Sequence, residues 1–228
     1  MGGNKAMRVL LAGATGLVGQ GVLQACLQSG DVAHVSVLVR QPGSVAGTVD
    51  QIVLPEFLQA AGLGTALSGF DACFYCAGAP PVGTAEAEYR QVTLAVTLAV
   101  AEAWAAANPD GCFLYVSGAH ADPRSRIMPL RVKGETEQAL ARLPLRTVML
   151  RPAGVRPVPG TGTRHALLKP FYVLARPLMR VAEGVLPALT TSNRAIGQAM
   201  IALARWPAPP SVVECAQINR LARDPSAR

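Results

Sequence analysis

Three glycines spaced three residues apart, Gly13, Gly16 and Gly19, lie between an apolar run, Met7 to Ala12, and an amphipathic stretch that reaches Ser29. This is the pattern of a strand, a glycine turn and a helix N-terminus. Without a Cβ the turn can close tightly and its backbone can approach a ligand, while the free N–H groups and the positive dipole end of the helix face negative charge. The chemistry that fits is the cradling of a dinucleotide pyrophosphate by Gly13, Thr15, Gly16, Leu17, Val18 and Gly19. A tight turn with close helix packing uses the same residues, so the context of strand and helix carries the reading.

The end of the second strand distinguishes one nucleotide from another. A carboxylate roughly twenty residues past the glycines would take the ribose 2′-OH of NAD, and an arginine the 2′-phosphate of NADP. Here the strand His34 to Val39 runs into Arg40, and no carboxylate stands between Val35 and Thr48. NADP(H) is the expected ligand. Cys73-x-x-Cys76 has the spacing of half a zinc site, but His34, His120 and His165 supply no partner motif, so the pair reads as part of a buried strand and no metal is expected.

Strands must alternate with helices to position these residues. Hydrophobic period and breakers predict strands at Arg8 to Ala12, His34 to Arg40, Gln51 to Leu54, Ala72 to Cys76, Cys112 to Ser117 and Arg146 to Leu150. Helical stretches are expected at Leu17 to Gln28, Phe57 to Leu67, Ala85 to Ala107 and Leu130 to Arg142. That order gives an α/β fold, a doubly wound parallel sheet, as one domain over residues 1–228. After Arg151-Pro152 the chain becomes rich in proline and glycine, and His165 to Leu189 reads as apolar helical pieces carrying Lys169, Arg176 and Arg180. Residues 155–190 are therefore expected to form a small C-terminal cap on the substrate side, with a packing appendage or subunit interface as the alternative. Thr191 to Arg205 reads as a closing helix and Val212 to Cys215 as an edge strand. Met1 to Lys5 and the stretch from Asp224 onward read as disordered.

The chain has 228 residues, of which 50% are hydrophobic, enough for a substantial core. The apolar runs are broken well before the ~20 residues of a membrane span, and no signal-peptide pattern opens the sequence, so a cytoplasmic protein is expected. Five cysteines in apolar segments point to reduced, mostly buried thiols. A net charge of +7 suits an anionic ligand, but the arginines are dispersed and few aromatics accompany them, so nucleic acid is not an expected partner.

Taken in order, the motifs resemble the extended and atypical branch of the short-chain dehydrogenase/reductase superfamily, from about Met7 to Arg205. They are the glycine turn, Cys76-Ala77-Gly78, Tyr115-Val116-Ser117, Lys133-Gly134-Glu135-Thr136-Glu137 and Leu150-Arg151-Pro152-Ala153-Gly154. The sequence is most similar to the group around the human Tat-interacting oxidoreductase-like protein, with its VKGExE helix and NADPH. The resemblance implies a Rossmann-like fold, with Cys76, Ala77 and Gly78 along the adenosine and Pro152, Ala153 and Gly154 near the nicotinamide. It also implies that Lys133 hydrogen-bonds the nicotinamide ribose and Ser117 polarises a substrate carbonyl, making these two the candidate catalytic residues. By residue type alone, Ser117 equally suits a strand end and Lys133 a solvated helix.

Two departures stand out. The family tyrosine lies four residues before the lysine, where this chain has Pro129, which has no proton to give. Tyr89, Tyr172 and His120 are the remaining acids. The acidic residue expected after the third strand is replaced by Leu54 and Pro55, with Glu56 displaced. Two functional readings stay open. One is an NADP(H)-binding oxidoreductase or epimerase-like enzyme acting on a carbonyl or sugar-type substrate; the other is a non-catalytic NADP(H)-sensing regulator or assembly factor acting through a protein partner. A homodimer is compatible with either.

Overall fold

The computed structural model describes residues 5–162 and 188–226. The expected helical pieces from His165, together with Tyr172, Lys169, Arg176 and Arg180, lie outside the described residues, as do the extreme ends of the chain.

Seven strands form one sheet: β1 (Met7–Ala12), β2 (Val32–Val39), β3 (Asp50–Val53), β4 (Ala72–Tyr75), β5 (Cys112–Val116), β6 (Arg146–Arg151) and β9 (Val212–Glu214). Their order is β3-β2-β1-β4-β5-β6-β9, with every pairing parallel. The switch in winding falls between β1 and β4, and ligands of open α/β sheets bind outside the carboxyl ends of strands at such a point.

Alternation along the strands divides the core in two. Val9, Leu11, Val37, Phe74, Leu114 and Val148 pack towards α1 (Leu17–Gln28), α5 (Asn193–Ala204) and α6 (Cys215–Arg223). Leu10, Leu38, Cys73, Tyr75, Phe113 and Met149 pack on the other face, with Trp104 of α3 (Val96–Ala107) and Leu140 of α4 (Met128–Leu140). Neighbouring residues on a strand point to opposite faces, so near-continuous apolar strands need cover on both sides. All five cysteines are free thiols, and burial pushes Cys26 up to about 12 and Cys112 to about 11.

The structure refines several expectations. The long helix is three consecutive pieces: α2 (Glu86–Arg90), a π-helical turn (Gln91–Ala95) and α3. The Phe57–Leu67 stretch is 3₁₀, kinked where Gly64 has φ +47°. Within the stretch read as proline- and glycine-rich cap, Gly154–Arg156 is a strand, β7. It pairs in parallel with β8 (Thr190–Ser192), which occupies the start of the expected closing helix. That helix begins at Asn193, capped by Ser192, whose Oγ accepts from the Ala195 N–H at 3.1 Å. Cys215 opens α6 instead of ending a strand. Glu214 and Gln217 form a reciprocal capping box there, with the Glu214 N–H donating to Gln217 Oε1 at 2.9 Å.

Helices α1 and α5 approach until only glycine fits. A Cβ on Gly197 would lie 2.7 Å from Ala25 Cβ and 2.8 Å from Val22 Cα. Gly197→Ala gains about 1 kcal/mol of helix propensity but forces the pair apart, a strain of ~1–3 kcal/mol. The expected result is a lower urea midpoint with an unchanged slope, and an unchanged or raised midpoint would contradict this contact.

Candidate functional site

Parallel pairing brings the sequence-predicted residues to one edge. Ala12 pairs with Leu38 and with Tyr75, Tyr75 with Tyr115, and Val116 with Leu150. The segments that follow β2, β1, β4, β5 and β6 therefore stand side by side. They carry Arg40, the glycine turn, Cys76–Gly78, Ser117 and Pro152–Gly154 respectively. Four strand spacings of about 4.8 Å separate the first from the last, roughly 19 Å.

Each glycine of the turn has its own role. Gly13 has φ +82°, and a Cβ there would sit 2.5 Å from Ala77 N and 2.6 Å from the Cys76 carbonyl carbon, so the β1 and β4 loops touch through it. Gly19 seats the helix, since its Cβ would fall 2.0 Å from Gly13 O. At Gly16 a Cβ meets only Gly13 O, at 3.4 Å, leaving its outer side open. Gly16 is the N-cap of α1 and supplies no side-chain cap, while its own N–H donates to Gly13 O at 3.0 Å. The first N–H groups of α1, on Leu17, Val18 and Gly19, have no intrahelical acceptor by geometry. An uncapped helix start with an open glycine face is a site for an anion.

Arg40 lies exposed one residue past β2 and has no ion-pair partner among the described residues. The register of β2 beside β1 places the Arg40 backbone next to the glycine turn.

At the other end, Ser117 and Lys133 come together. Lys133 Nζ donates to the Ser117 carbonyl, and its side chain lies over Gly118, where a Cβ would sit 3.2 Å from Lys133 Cδ. The ammonium is 5.9 Å from the centre of the Tyr115 ring. Two backbone bonds lock the β5 loop onto the β6 loop: Ser117 N–H to Leu150 O at 2.8 Å, and Ala119 N–H to Pro152 O at 2.9 Å. Ser117 is buried, and its Oγ has no hydrogen-bond partner among the described residues. Such a hydroxyl is costly unless a ligand satisfies it.

Burial lowers the Lys133 ammonium to about 8, with Glu137 one turn on opposing the shift. Glu137 is itself held by Arg151, whose Nε and Nη2 reach its two oxygens at 3.0 and 2.6 Å. Arg151 also reaches Glu214 at 3.1 Å. Sequence reasoning placed Glu137 and Arg151 within motifs but gave neither a role, although a carboxylate at i+4 from Lys133 was a usable signal.

The alternative acids fare differently. Pro129 occupies the first turn of α4, one turn before Lys133. His120 is exposed on the β5–α4 loop at φ +60°, a left-handed conformation uncommon for a residue with a Cβ. Tyr89 is fully buried on α2, and burial pushes its phenol above the usual range while Thr93 pulls it back.

A family model described as NAD(P)H-binding matches residues 13–190, and the chain belongs to that family. Among solved structures it is similar to a UDP-glucose 4-epimerase from Brucella ovis in complex with NAD. The TM-score is 0.69 at 18% identity, covering 93% of this chain and 81% of that one. It is similar also to a short chain dehydrogenase from Burkholderia cenocepacia J2315 in complex with NADP, with TM-score 0.64, 18% identity and coverage of 97% and 94%. The Rossmann-like fold is thus the one seen in short-chain dehydrogenases and sugar-nucleotide epimerases. Two curated proteins match at 31% identity. "Protein FMP52, mitochondrial" of Coccidioides immitis (strain RS) aligns over 160 residues, 62% of this chain and 63% of that protein. The leucinostatins biosynthesis cluster protein T of Purpureocillium lilacinum aligns over 143 residues, 60% and 52%. The chain thus spans between about half and two thirds of these relatives. Among the described residues no helix is long and apolar enough to cross a membrane.

The lowered Lys133 value makes a signed prediction. Its folded value, about 8, lies below the ordinary lysine value of 10.5, so between those pH values the unfolded chain binds more protons and stability from this residue rises with pH. Below about 8 its contribution is at its least. Comparing melting temperatures, Lys133→Met should gain on the wild type near pH 7 relative to near pH 10. A difference that stays constant across that range would contradict a depressed ammonium.

Proposed function

We propose that this chain is an NADP(H)-binding, atypical short-chain dehydrogenase/reductase-like protein, an oxidoreductase or epimerase-like enzyme for a carbonyl or sugar-type substrate. The observation that carries the reading is the uncapped α1 start with Gly16 open beside it and the exposed Arg40 one residue past β2, without an ion-pair partner among the described residues. In this reading Gly13, Thr15, Gly16, Leu17, Val18 and Gly19 hold the pyrophosphate, and Arg40 takes the 2′-phosphate. Cys76, Ala77 and Gly78 follow the adenosine side, and Pro152, Ala153 and Gly154 the nicotinamide side. A cytoplasmic location belongs to the reading, although the name of the FMP52 relative is mitochondrial.

A bound nicotinamide nucleotide supplies hydride chemistry at the Ser117 end of the edge. There the Ser117 hydroxyl donates a hydrogen bond to a carbonyl oxygen and gains the partner it lacks within the described fold. Lys133, fixed by the Ser117 carbonyl, turns its remaining N–H bonds to the ribose. Pro129 leaves no phenol one turn before Lys133 to deliver a proton. That favours a second reading in which the chain holds NADP(H) as a sensor or assembly factor and acts through a protein partner.

Two experiments separate these statements. NADPH is expected to bind more tightly than NADH at fixed ionic strength, and Arg40→Asp to erase or reverse the preference. Equal dissociation constants in the wild type would overturn the assignment to NADP(H).

With the cofactor bound, ordinary aldehydes and ketones should turn over very slowly, because a missing general acid removes ~10²–10⁴-fold of rate. Pro129→Tyr is expected to raise any residual rate. A wild-type rate of about 10 s⁻¹ would overturn the weak-catalyst reading and make His120, Tyr89 and Tyr172 the acids to substitute.

A further inference from the structure

Two carboxamides beside the glycine turn make hydrogen bonds that neither the anion site nor the Ser117–Lys133 pair accounts for. Gln20 on α1 donates from Nε2 to Thr15 O at 3.0 Å and to Gly162 O at 3.0 Å, and its Oε1 accepts from the Gly162 N–H at 2.9 Å. Asn193, buried at the start of α5, donates from Nδ2 to Leu17 O at 2.8 Å and to Thr161 Oγ1 at 2.9 Å, and its Oδ1 accepts from the Val158 N–H at 3.1 Å. Gly21 makes room for it, since a Cβ there would lie 2.4 Å from Asn193 Cγ. Each carboxamide thus bonds both the phosphate turn, at Thr15 or Leu17, and the turn at 158–162, which Thr161 closes by donating to Val158 O at 2.7 Å.

The consequence for the anion site follows from the planarity of the peptide. The carbonyl of Leu17 and the N–H of Val18 belong to one rigid unit and point in opposite directions. A hydrogen bond that fixes Leu17 O therefore also fixes the direction of the Val18 N–H, one of the free donors at the start of α1. We infer that Gln20 and Asn193 are positioning residues for the phosphate turn, and that through them cofactor binding and the order of the 158–162 turn are linked. The inference rests on the cofactor reading above. Linkage is reciprocal: if the two carboxamides let the 158–162 turn support the anion site, occupancy of that site must stabilise the 158–162 turn.

The test uses the full chain, with NADPH affinity measured by fluorescence and amide hydrogen exchange measured over residues 158–162 with and without saturating NADPH. Gln20→Met keeps the side-chain length and removes all three bonds. It is expected to weaken NADPH about tenfold, as the loss of roughly 1.4 kcal/mol of binding would. In the wild type NADPH should slow exchange at Thr161 and Gly162 several-fold, and this slowing should be absent in the variant. A residue that only supports folding would lower the melting temperature without removing the NADPH-dependent protection. An affinity within twofold of wild type, or equal protection in both proteins, overturns the inference. If Gln20→Met does not fold, Thr161→Val, which breaks only the Asn193 bond to Thr161 Oγ1 and the local hydroxyl bond to Val158 and leaves the Val158 N–H on Asn193, carries the same two readouts with a smaller expected loss. A wild type that binds neither NADPH nor NADH would overturn the cofactor reading and this inference together, whereas a binding wild type with unaffected variants overturns this inference alone.

Discussion

The closeness of α1 to the loop beneath it is the constraint on which the rest depends. The Gly13 carbonyl occupies the space where a side chain on Gly19 would begin, and the Gly13 Cα faces the Cys76–Ala77 backbone with no room for a Cβ. The helix can descend onto the strand ends only because both positions lack side chains. Its first N–H groups, which have no intrahelical acceptor, are thereby held beside the strand ends. The same closeness continues down α1, through Gly21 against Asn193 and through Val22 and Ala25 against Gly197 of α5. One row of absent side chains thus seats the start of α1 on the strand ends and joins the first helix to the fifth.

A second line of force runs from the opposite end of the site to the C-terminal helix. Lys133 and Glu137 share one face of α4, Glu137 is clamped by Nε and Nη2 of Arg151 on β6, and Arg151 continues through Nη1 to Glu214 at the cap of α6. Burial raises the cost of the Glu137 and Arg151 charges, so removing either would leave the other uncompensated, whereas Glu214 is half exposed. The geometry of the lysine therefore depends on residues of β6 and the chain's last helix as well as on its own. On the surface, Arg131 to Glu86 at 2.8 Å and Arg90 to Glu135 add ties between α2 and α4, of the exposed kind that contributes little singly.

The parts of this arrangement that could be read from the sequence are those encoded locally. The glycine spacing located β1 and α1, and the apolar runs located all seven strands of the main sheet to within one or two residues; in the central strands burial on both faces leaves a continuous apolar signature, while the half-exposed edges β3 and β9 carry a shorter one. The loops carrying Arg40, Cys76, Ser117 and Pro152 followed from that order. Strands β7 and β8, three residues each, are too short for an alternation to register among prolines and glycines. The helix Cys215–Arg223 was legible in principle from the Glu214-x-x-Gln217 box and the apolar spacing of Cys215, Ile218 and Leu221. The carboxamide contacts were not: Gln20 meets Gly162 across 142 residues and Asn193 meets Leu17 across 176, and no local pattern announces such a pairing.

The β7–β8 ribbon bears on how a fold of this kind can vary. By pairing Gly154 with Thr190 and Arg156 with Ser192, it brings the two ends of the intervening stretch side by side before that stretch contributes anything to the core. Closing a loop costs entropy only logarithmically in its length, so once the ends are pinned each doubling adds only about 0.6 kcal/mol. The ribbon is thus a graft point. Sequence after Gly162 and before Thr190 can lengthen, shorten or be exchanged at little thermodynamic cost, while the sheet and the 158–162 turn that Gln20 and Asn193 hold keep their shape.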